Sequence, residues 1–156
     1  MTTMRPRAEP MNAIVFKVPA IPIAQPRPRA RFRGNRIVIY TPEKDQVNAF
    51  KSHVRLTAAK HWTDPPMTGP LRVNVDFVFP RTKAQTWKTR PMLRLWHTKK
   101  PDIDNCVKAV WDALTGLVWV DDSQICQCTL MKAIASGSEQ PHVVVWIAKL
   151  EEGEGL

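Results

Sequence analysis

The stretch Leu71-Arg72-Val73-Asn74-Val75-Asp76-Phe77-Val78-Phe79 has the most regular pattern in this chain. Its apolar side chains alternate with polar ones, and successive side chains of a strand point to opposite faces. One face is therefore apolar and the other mostly polar, as in a strand that covers a core on one side. We predict a central strand here, which ends at Pro80 and points towards the functional site.

Length and charge restrict the class of protein. The chain has 156 residues, enough for one domain with its own core, and it shows no internal repeat. A net charge of +9 and a pI near 9.9 indicate a polyanionic partner, and nucleic acid is the commonest one. Three cysteines, an odd number, favour a reducing compartment and do not form a zinc pattern. We interpret Cys106, Cys126 and Cys128 as buried thiols.

The two chain ends differ in character from the middle. Residues 1–12 contain no apolar run of signal-peptide length, and no stretch of the chain is long enough to span a membrane. We expect a disordered leader over residues 1–12, a folded domain over residues 13–150 and a flexible acidic tail over residues 151–156. The protein is expected to be cytoplasmic, without a membrane partner.

The segment before the first helix is rich in proline and arginine. Residues 14–18 are predicted to form a strand, and the prolines that follow permit only an edge or an extended path. Alternate residues of extended backbone lie on the same side, and the arginines that alternate here are Arg27, Arg29, Arg31 and Arg33. They form either a phosphate-binding surface or a solvated basic loop, and the residues alone leave both interpretations open. A hairpin is expected around Gly34-Asn35.

A helix is predicted after the hairpin. Thr41 is expected to cap it, with Pro42 at the first helical position. The apolar residues that follow have the spacing of one buried helix face, and they are Val47, Phe50, Val54 and Ala58.

The segment after the central strand is strongly basic. Between residues 81 and 101 there are seven Lys or Arg residues and no acid, with Trp87 and Trp96 among them. Basic and aromatic residues together are typical of surfaces that hold backbone phosphates and exposed bases. Alternatively the tryptophans pack into the core of the subunit or of a dimer, and burial is expected for at least one of them.

The run Lys99-Lys100-Pro101-Asp102-Ile103-Asp104-Asn105 joins this basic segment to a second helix. Pro101 disfavours helical backbone at the residue before it, so the run enters in extended form. Alternate residues then point the same way, and Asp102 and Asp104 share a face. Carboxylate oxygens on one face are suitable ligands for a hard cation such as Mg²⁺.

The second helix has recognisable ends. Asp104 or Asn105 is expected to cap its start, and Gly116 suits the left-handed position past its end. Lys108 lies one turn beyond Asp104, on the side that faces the carboxylates. Its ammonium is placed to meet a phosphate oxygen, to stabilise developing negative charge or to pair with Asp104, and Asp112 is expected to pair with Lys108 in turn.

A second pair of acids follows this helix. Residues 117–120 are interpreted as a short strand that returns along the helix and delivers Asp121 and Asp122. Taken singly, Asp-x-Asp before a helix is often an N-cap, and Asp-Asp after an apolar run is often a turn. However, four of the 14 acids flank this one helix, and carboxylates gathered in one place repel each other unless a cation neutralises them. One of the two acids is therefore expected to complete the site.

The rest of the chain is rich in β-forming residues. Residues 125–131 and 143–148 are predicted strands, joined by a loop at residues 136–138. The predicted architecture is a single α+β domain, in which a small, mostly antiparallel mixed sheet carries two main helices on one face.

Several of these segments together resemble a known family. Lys-Pro-Asp-Ile-Asp-Asn-Cys-Val-Lys at residues 100–108, Asp-Ala-Leu at 112–114, Gly116, and Val-Asp-Asp-Ser-Gln-Ile at 120–125 resemble the signature of the RusA-type Holliday junction resolvases. Pro-Arg-Pro-Arg at residues 26–29 and Tyr-Thr-Pro at 40–42 are also similar to that family. The resemblance covers residues 14–147, and the combined motif is far more specific than Asp-x-Asp alone.

The resemblance implies a function and a set of site residues. Members of this family are homodimers of small α/β subunits that nick two opposing strands of a four-way DNA junction in recombination and repair, and many come from prophages. The matching positions are Asp102, Asp104 and Asp122 as ligands of Mg²⁺ (or of Mn²⁺ as a substitute), Lys108 as the required lysine and Asp121 as a supporting acid. The residues favoured for DNA contact are Arg27, Arg29, Arg31, Arg33, Lys99 and Lys100.

Two other functions remain compatible with the residues. A generic structure-selective DNA nuclease would use the same carboxylates without preferring junctions. In a non-catalytic DNA-binding protein, the acids would cap helices and the lysine would form an ion pair. Cleavage of a mobile four-way junction and of a matched linear duplex, with and without Mg²⁺, separates the three.

Overall fold

The computed structural model describes residues 13–153 and residue 156. In chain order the strands and helices are β1 (Ile14–Val18), β2 (Arg29–Arg33), β3 (Arg36–Tyr40), α1 (Lys44–Ala59), β4 (Leu71–Phe79), β5 (Leu95–Trp96), α2 (Ile103–Leu114), β6 (Ile125–Ile134) and β7 (His142–Lys149). Short 3-10 turns at Lys83–Gln85 and Asp122–Gln124 precede β5 and β6. The predicted leader, residues 1–12, lies outside the described residues, as do residues 154 and 155 of the predicted tail.

A five-stranded sheet in the order β1-β7-β4-β6-β5 forms the framework, and β2 and β3 form a separate hairpin. β4 is antiparallel to β7 and parallel to β6, and the other two strand pairs of the framework are antiparallel. The predicted α+β class with a mostly antiparallel mixed sheet is confirmed, and so are the central position and the bounds of β4.

The core lies between this sheet and the two helices. The apolar face of β4 is fully buried at Leu71, Val73, Val75 and Phe77. The predicted buried stripe of α1 is confirmed at all four positions, and α2 buries six of its 12 residues. Arg55 joins the helices, because its Nη1 donates to the carbonyl oxygens of Ala113 (3.1 Å) and Thr115 (3.2 Å) at the end of α2, where the helix leaves carbonyls unpaired. None of the helices in the described part of the chain has the length and apolar character that crossing a membrane requires.

The predicted helix caps are wrong for both helices. α1 begins at Lys44, after a turn at residues 42 and 43, and Glu43 holds the N-cap position with a left-handed φ of 55° and no side-chain cap. α2 begins at Ile103, earlier than expected, so Asp102 rather than Asp104 or Asn105 holds its N-cap position. The reasons differ: a turn at residues 42 and 43 separates Thr41 from α1, whereas the extended backbone before α2 already ends at Asp102.

The predicted strand at residues 117–120 is also wrong. The chain turns back tightly here, because Gly116 adopts the predicted left-handed φ (82°) and its N–H donates to Trp119 O (2.7 Å). Among the described residues, Trp119 forms isolated bridges to Met67 and Thr115 and belongs to no strand. Its indole is fully buried and donates to Thr115 Oγ1 (3.0 Å). The turn therefore closes the end of α2 instead of returning along it.

Two of the three thiols are not buried, contrary to the prediction. Cys106 on α2 is buried, whereas Cys126 and Cys128 on β6 are exposed. β5 pairs with β6 only at Ala133 and Ile134, so no described strand covers the outer edge of β6 over residues 125–131. We call this stretch the open edge of β6.

Neither tryptophan of the basic segment lies in the core of the chain. Trp96 on β5 is 75% exposed, and Trp87 lies between the guanidinium groups of Arg81 and Arg90, 4.6 and 4.1 Å from its ring centroid. The expected burial of at least one of them is therefore wrong for the single chain. The core position is taken by Trp119 instead, because the turn after α2 points its ring inwards.

The contribution of β4 to stability can be measured by urea denaturation. Phe77→Ala should lower the free energy of unfolding by about 3–5 kcal/mol, because it removes a fully buried ring and leaves a cavity. Val15→Ala on the edge strand β1 is the control: its side chain is 51% exposed, and the change should stay within about 0.5 kcal/mol. Equal losses for the two variants would show that β4 is not the centre of the core.

Candidate active site

The proline-rich loop before β2 docks against the start of α2. The N–H of Gln25 donates to the carbonyl oxygen of Asn105 (2.9 Å), and Arg27 Nη2 lies 3.9 Å from Asp104 Oδ2. Both side chains of this ion pair are largely exposed, so the pair adds little stability. Its importance is positional, because it brings the first arginine of the loop beside the carboxylates.

A cleft of about 670 Å³ opens between this loop and the starts of both helices. Its lining includes the cations Arg27, Arg29 and Lys100 and the acids Glu43 and Asp102. Clefts lined by cations concentrate anions such as phosphate. The cleft therefore combines groups that attract phosphate with one carboxylate of the predicted site.

The hairpin of β2 and β3 continues from this loop and has two different faces. Directly opposite residues of an antiparallel pair share a face. The basic face holds the pairs Arg29–Tyr40, Arg31–Val38 and Arg33–Arg36, and the apolar face holds Ala30–Ile39 and Phe32–Ile37. The predicted hairpin around Gly34-Asn35 is confirmed, and three of the four alternating arginines share one face. That these arginines contact DNA stays a prediction.

Asp102 and Asp104 are both exposed at the start of α2. Asp102 has extended backbone (φ −70°, ψ 143°), and its side chain makes no capping hydrogen bond. Its carboxylate is therefore not used to cap the start of α2. Burial raises the pKa of the nearby Cys106 thiol to about 11; the Lys132 ammonium opposes this rise, and both carboxylates add to it. Cys106 is therefore a neutral packing residue rather than a nucleophile.

The segment that leads to Asp102, residues 97–101, lies along β6 and is called the approach segment below. Lys132 Nζ donates to the carbonyl oxygens of Lys99 and Pro101, at 2.6 Å each. The N–H of His97 donates to Lys132 O (3.2 Å), and burial followed by the charge of Lys132 lowers the pKa of His97. Sequence reasoning missed Lys132, because it lies 30 residues after Asp102 and no local pattern connects the two.

Lys108 is exposed on α2, one turn after Asp104. Within the described part of the chain it forms no ion pair with Asp104 or with Asp112. Asp112 instead pairs with Lys51 Nζ (3.2 Å) of α1. The expected pair between Lys108 and Asp112 is therefore wrong, because the neighbouring helix supplies a different cation.

The second pair of acids occupies a hydrogen-bonded turn before β6. Asp121 Oδ1 accepts a hydrogen bond from the Ser123 N–H (2.8 Å), and bonds from this backbone and side chain lower the pKa of Asp121. Gln124 holds the turn in place: its Oε1 accepts from the N–H groups of Val120 and Asp121, at 2.9 Å each. Its Nε2 donates to the carbonyl oxygens of Met67 (2.9 Å) and Gly69 (3.0 Å).

The two pairs of acids lie at opposite ends of α2. Lys132, near the end of β6, binds the approach segment, whereas Gln124, before β6 begins, binds the segment that enters β4. The 12 residues of α2 separate these ends by about 18 Å.

This separation bears on the predicted metal site. No three His, Cys, Asp or Glu side chains among the described residues are close enough to hold a metal ion together. One chain brings together Asp102, Asp104 and Arg27, but it does not bring Asp122 to them. The residues of a single chain therefore do not fit a three-carboxylate metal site, and the assignment of Asp122 as a ligand stays a prediction.

A second basic surface lies beside the approach segment, in the loop between β4 and β5. Arg81 Nη1 donates to the carbonyl oxygens of Leu93 and Ala135, at 2.9 Å each. Arg94 makes a bidentate ion pair with Glu139, and this pair holds the pKa of Glu139 at about 2. These contacts fix the loop onto the segment after β6 and leave its other cations exposed; these are Lys83, Lys88 and Arg90.

Comparison with known proteins agrees with a basic surface beside paired carboxylates. The family model described as "Endodeoxyribonuclease RusA" matches residues 19–148 of the chain. The chain belongs to the RusA family of endodeoxyribonucleases. Proteins of the RusA family are nucleases of the Holliday junction resolvase type, which act on branched DNA. The "Uncharacterized protein YqaN" of Bacillus subtilis (strain 168) is 34% identical over 145 residues, which cover 90% of this chain and 99% of that relative.

The ion pair of Arg94 and Glu139 should produce a measurable pH dependence of stability. The pKa of Glu139 is lowered from 4.5 to about 2 in the folded chain, so the pair stabilises the fold above about pH 4.5 and loses this effect as the pH falls towards 2. Glu139→Gln should therefore unfold more easily than the parent at pH 7 and nearly equally at pH 2. Urea titrations at both pH values measure the difference.

A double-mutant cycle is the control for this prediction. Arg94→Met should remove the same pH-dependent contribution, and the double variant should lose little more than either single one. Losses at pH 7 that add up would contradict a direct interaction between the two side chains.

Proposed function

We propose that this protein is a Mg²⁺-dependent endodeoxyribonuclease that resolves four-way DNA junctions by paired nicks, in DNA recombination and repair. Mn²⁺ is expected to substitute. The observation that carries this proposal is the docking of the arginine loop onto the carboxylates, with Arg27 3.9 Å from Asp104. Exposed carboxylates beside exposed arginines suit a site that binds a phosphodiester and hydrolyses it, and the family is one of endodeoxyribonucleases.

The cations around the cleft would guide the DNA backbone. Arg27, Arg29 and Lys100 line the cleft together with Asp102, and Lys99 is exposed next to them. The basic face of the hairpin, which includes Arg31 and Arg33, continues this surface along β2 from Arg29. A continuous path of arginines suits phosphate contacts along one arm of a junction.

Lys108 is proposed to neutralise charge at the phosphate that is cleaved. Its ammonium is exposed one turn from Asp104, and the cation beside Asp104 is Arg27 instead. A lysine that is not engaged by the neighbouring acid can donate to a phosphate oxygen as negative charge develops.

A divalent cation, when bound, supplies the charge that stabilises the reacting phosphate and lowers the pKa of the attacking water. Asp102 and Asp104 are the ligands that one chain offers for it, and Asp121 orders the turn that carries Asp122. Because Asp122 lies at the other end of α2, a site of three carboxylates needs a second copy of the chain.

The open edge of β6 is the surface we propose for that second copy. Its seven residues, Ile-Cys-Gln-Cys-Thr-Leu-Met, carry no charge and no proline. Natural proteins usually protect such an edge from pairing with charges, proline or a covering element. An uncovered and uncharged edge therefore suits antiparallel pairing with the same edge of another copy, across a two-fold axis.

Such pairing would bring the two pairs of acids together. If the pairing is centred on Cys128, the residues just before β6 in one copy lie level with the end of β6 in the other, beside the approach segment. Asp122 of one copy then approaches Asp102 and Asp104 of the other. The same pairing would cover two exposed apolar side chains at the ends of the edge, Trp96 (75%) and Val120 (56%).

Cleavage assays with a mobile four-way junction and a matched linear duplex test the function. With Mg²⁺, the parent should cut the junction and largely spare the duplex, and it should cut neither in EDTA. Asp102→Asn and Asp104→Asn should lower the cleavage rate by at least about a hundredfold and leave junction binding intact, because they remove ligand charge but keep shape. Asp112→Asn, which loses only the pair with Lys51, is the matched control and should cut normally.

Each other outcome identifies another function. Equal cleavage of junction and duplex would indicate a generic nuclease. Tight junction binding without cleavage in Mg²⁺ or Mn²⁺ would indicate a non-catalytic DNA-binding protein.

Mixed dimers test the shared site. Asp102→Asn and Asp122→Asn should each be inactive alone, and their mixture should recover up to about a quarter of the parental activity. That fraction follows from random pairing, in which half of the dimers are mixed and each mixed dimer keeps one of its two sites intact. Mild oxidation should also crosslink the parent through Cys128, since directly opposite strand residues lie within disulfide distance.

Two controls belong to this experiment. Cys128→Ser should abolish the crosslink, whereas Cys126→Ser should not, because the two Cys126 residues would lie well apart along the edge. A monomer in solution, or mixtures that stay inactive, would contradict a site shared between two copies.

A further inference from the structure

Lys132 is the one charged residue in β6, and it lies level with Phe77 of the central strand. Its Nζ donates to the carbonyl oxygens of Lys99 and Pro101, at 2.6 Å each. Its own carbonyl oxygen accepts from the His97 N–H (3.2 Å). The side chain and the backbone of Lys132 therefore both hold the approach segment.

These contacts determine the backbone immediately before the first carboxylate. The carbonyl groups of Lys99 and Pro101 both accept from Lys132. The peptide group between Lys99 and Lys100 and the one between Pro101 and Asp102 therefore have a defined orientation. The side chains of Lys100 and Asp102 are exposed and line the cleft. The direction in which Asp102 leaves the backbone thus depends on the ammonium of Lys132.

We propose that Lys132 is a positioning residue of the active site: its ammonium holds the approach segment on β6 and so fixes Asp102 at the start of α2. This inference rests on the proposed function, because it takes Asp102 to be a ligand of the catalytic cation. Residues that orient ligands without touching the metal typically contribute about 10-fold to 100-fold to metal affinity or activity.

Two features favour positioning over direct contact with DNA. Lys132 is half buried, whereas Lys99, Lys100 and Arg27 are exposed. Its ammonium already donates to two carbonyl oxygens, and hydrogen bonds from a charged donor at this distance are strong ones. Binding a phosphate would require these bonds to break, which would release the segment that carries Asp102.

Lys132→Met keeps most of the length of the side chain and removes the donor. We expect its cleavage rate at saturating junction to fall about 10-fold to 100-fold, and the Mg²⁺ concentration for half-maximal rate to rise by a similar factor. Junction affinity in EDTA should stay within about twofold of the parent, because no phosphate contact is lost. Lys17→Met, on the exposed face of β1, removes the same charge and should change none of these quantities.

Two measurements do not depend on cleavage. Mn²⁺ binding, followed by the paramagnetic resonance signal of the free ion, should weaken in Lys132→Met and not in Lys17→Met. Amide hydrogen exchange should become faster over residues 97–103 and stay unchanged over residues 107–114. If the parent protein does not cut junctions, the proposed function fails, while faster local exchange would still support the positioning contact.

Three results would overturn the proposal. The first is weaker junction binding in EDTA with an unchanged saturated rate, which would make Lys132 a DNA contact. The second is unchanged exchange over residues 97–103. The third is a lower melting temperature with an unchanged Mg²⁺ dependence, which would make Lys132 merely structural. If Lys132→Met does not fold, Lys132→Gln, which keeps one donor group, replaces it, and the same three results decide.

Discussion

The parallel pairing of β4 with β6 is the constraint on which the arrangement of the site depends. Two parallel neighbours cannot be joined by a tight turn, so the chain must cross from the end of one strand back to the start of the other. In this protein the crossover contains the basic loop, β5, the approach segment and α2. α2 must run the length of the sheet, and the acids before it and after it are therefore placed at opposite ends.

Charge is concentrated at the same end of α2 as the first carboxylates. The chain carries a net charge of +9, and the arginine loop, the hairpin and the crossover all present cations near the start of α2. Asp102 and Asp104 lie exposed among them. Arg27 is close to Asp104, and Lys132 on β6 holds the backbone of the approach segment. Cations attract the DNA backbone, whereas bare carboxylates repel it. Under the proposed function, an additional cation would lie between the carboxylates and the phosphate.

Much of the fold was predictable because it is encoded in short periodicities. β4 was predicted with its bounds, and the buried stripe of α1 at each position, because one buried face imposes a period of 2 or 3.6 residues on the sequence. The errors in secondary structure fell at the helix caps and at one short return. Caps and short returns, such as the turn after Gly116, depend on where the next packed residue lies, and for that turn it is the buried ring of Trp119.

The sequence by itself determined the family and the central strand, because a short motif such as residues 100–108 and a strict alternation are both recognisable without the tertiary structure. It also supplied the acids on which the proposed function relies. Only the tertiary structure decided that Lys132 holds the approach segment, that Cys126 and Cys128 are exposed on an uncovered edge, and that Asp122 and the first carboxylates lie at opposite ends of α2, a helix about 18 Å long. These features depend on which strands are neighbours and in which direction they run. Strand pairing between distant segments is set by the burial of the whole core, so no local pattern in the chain records it.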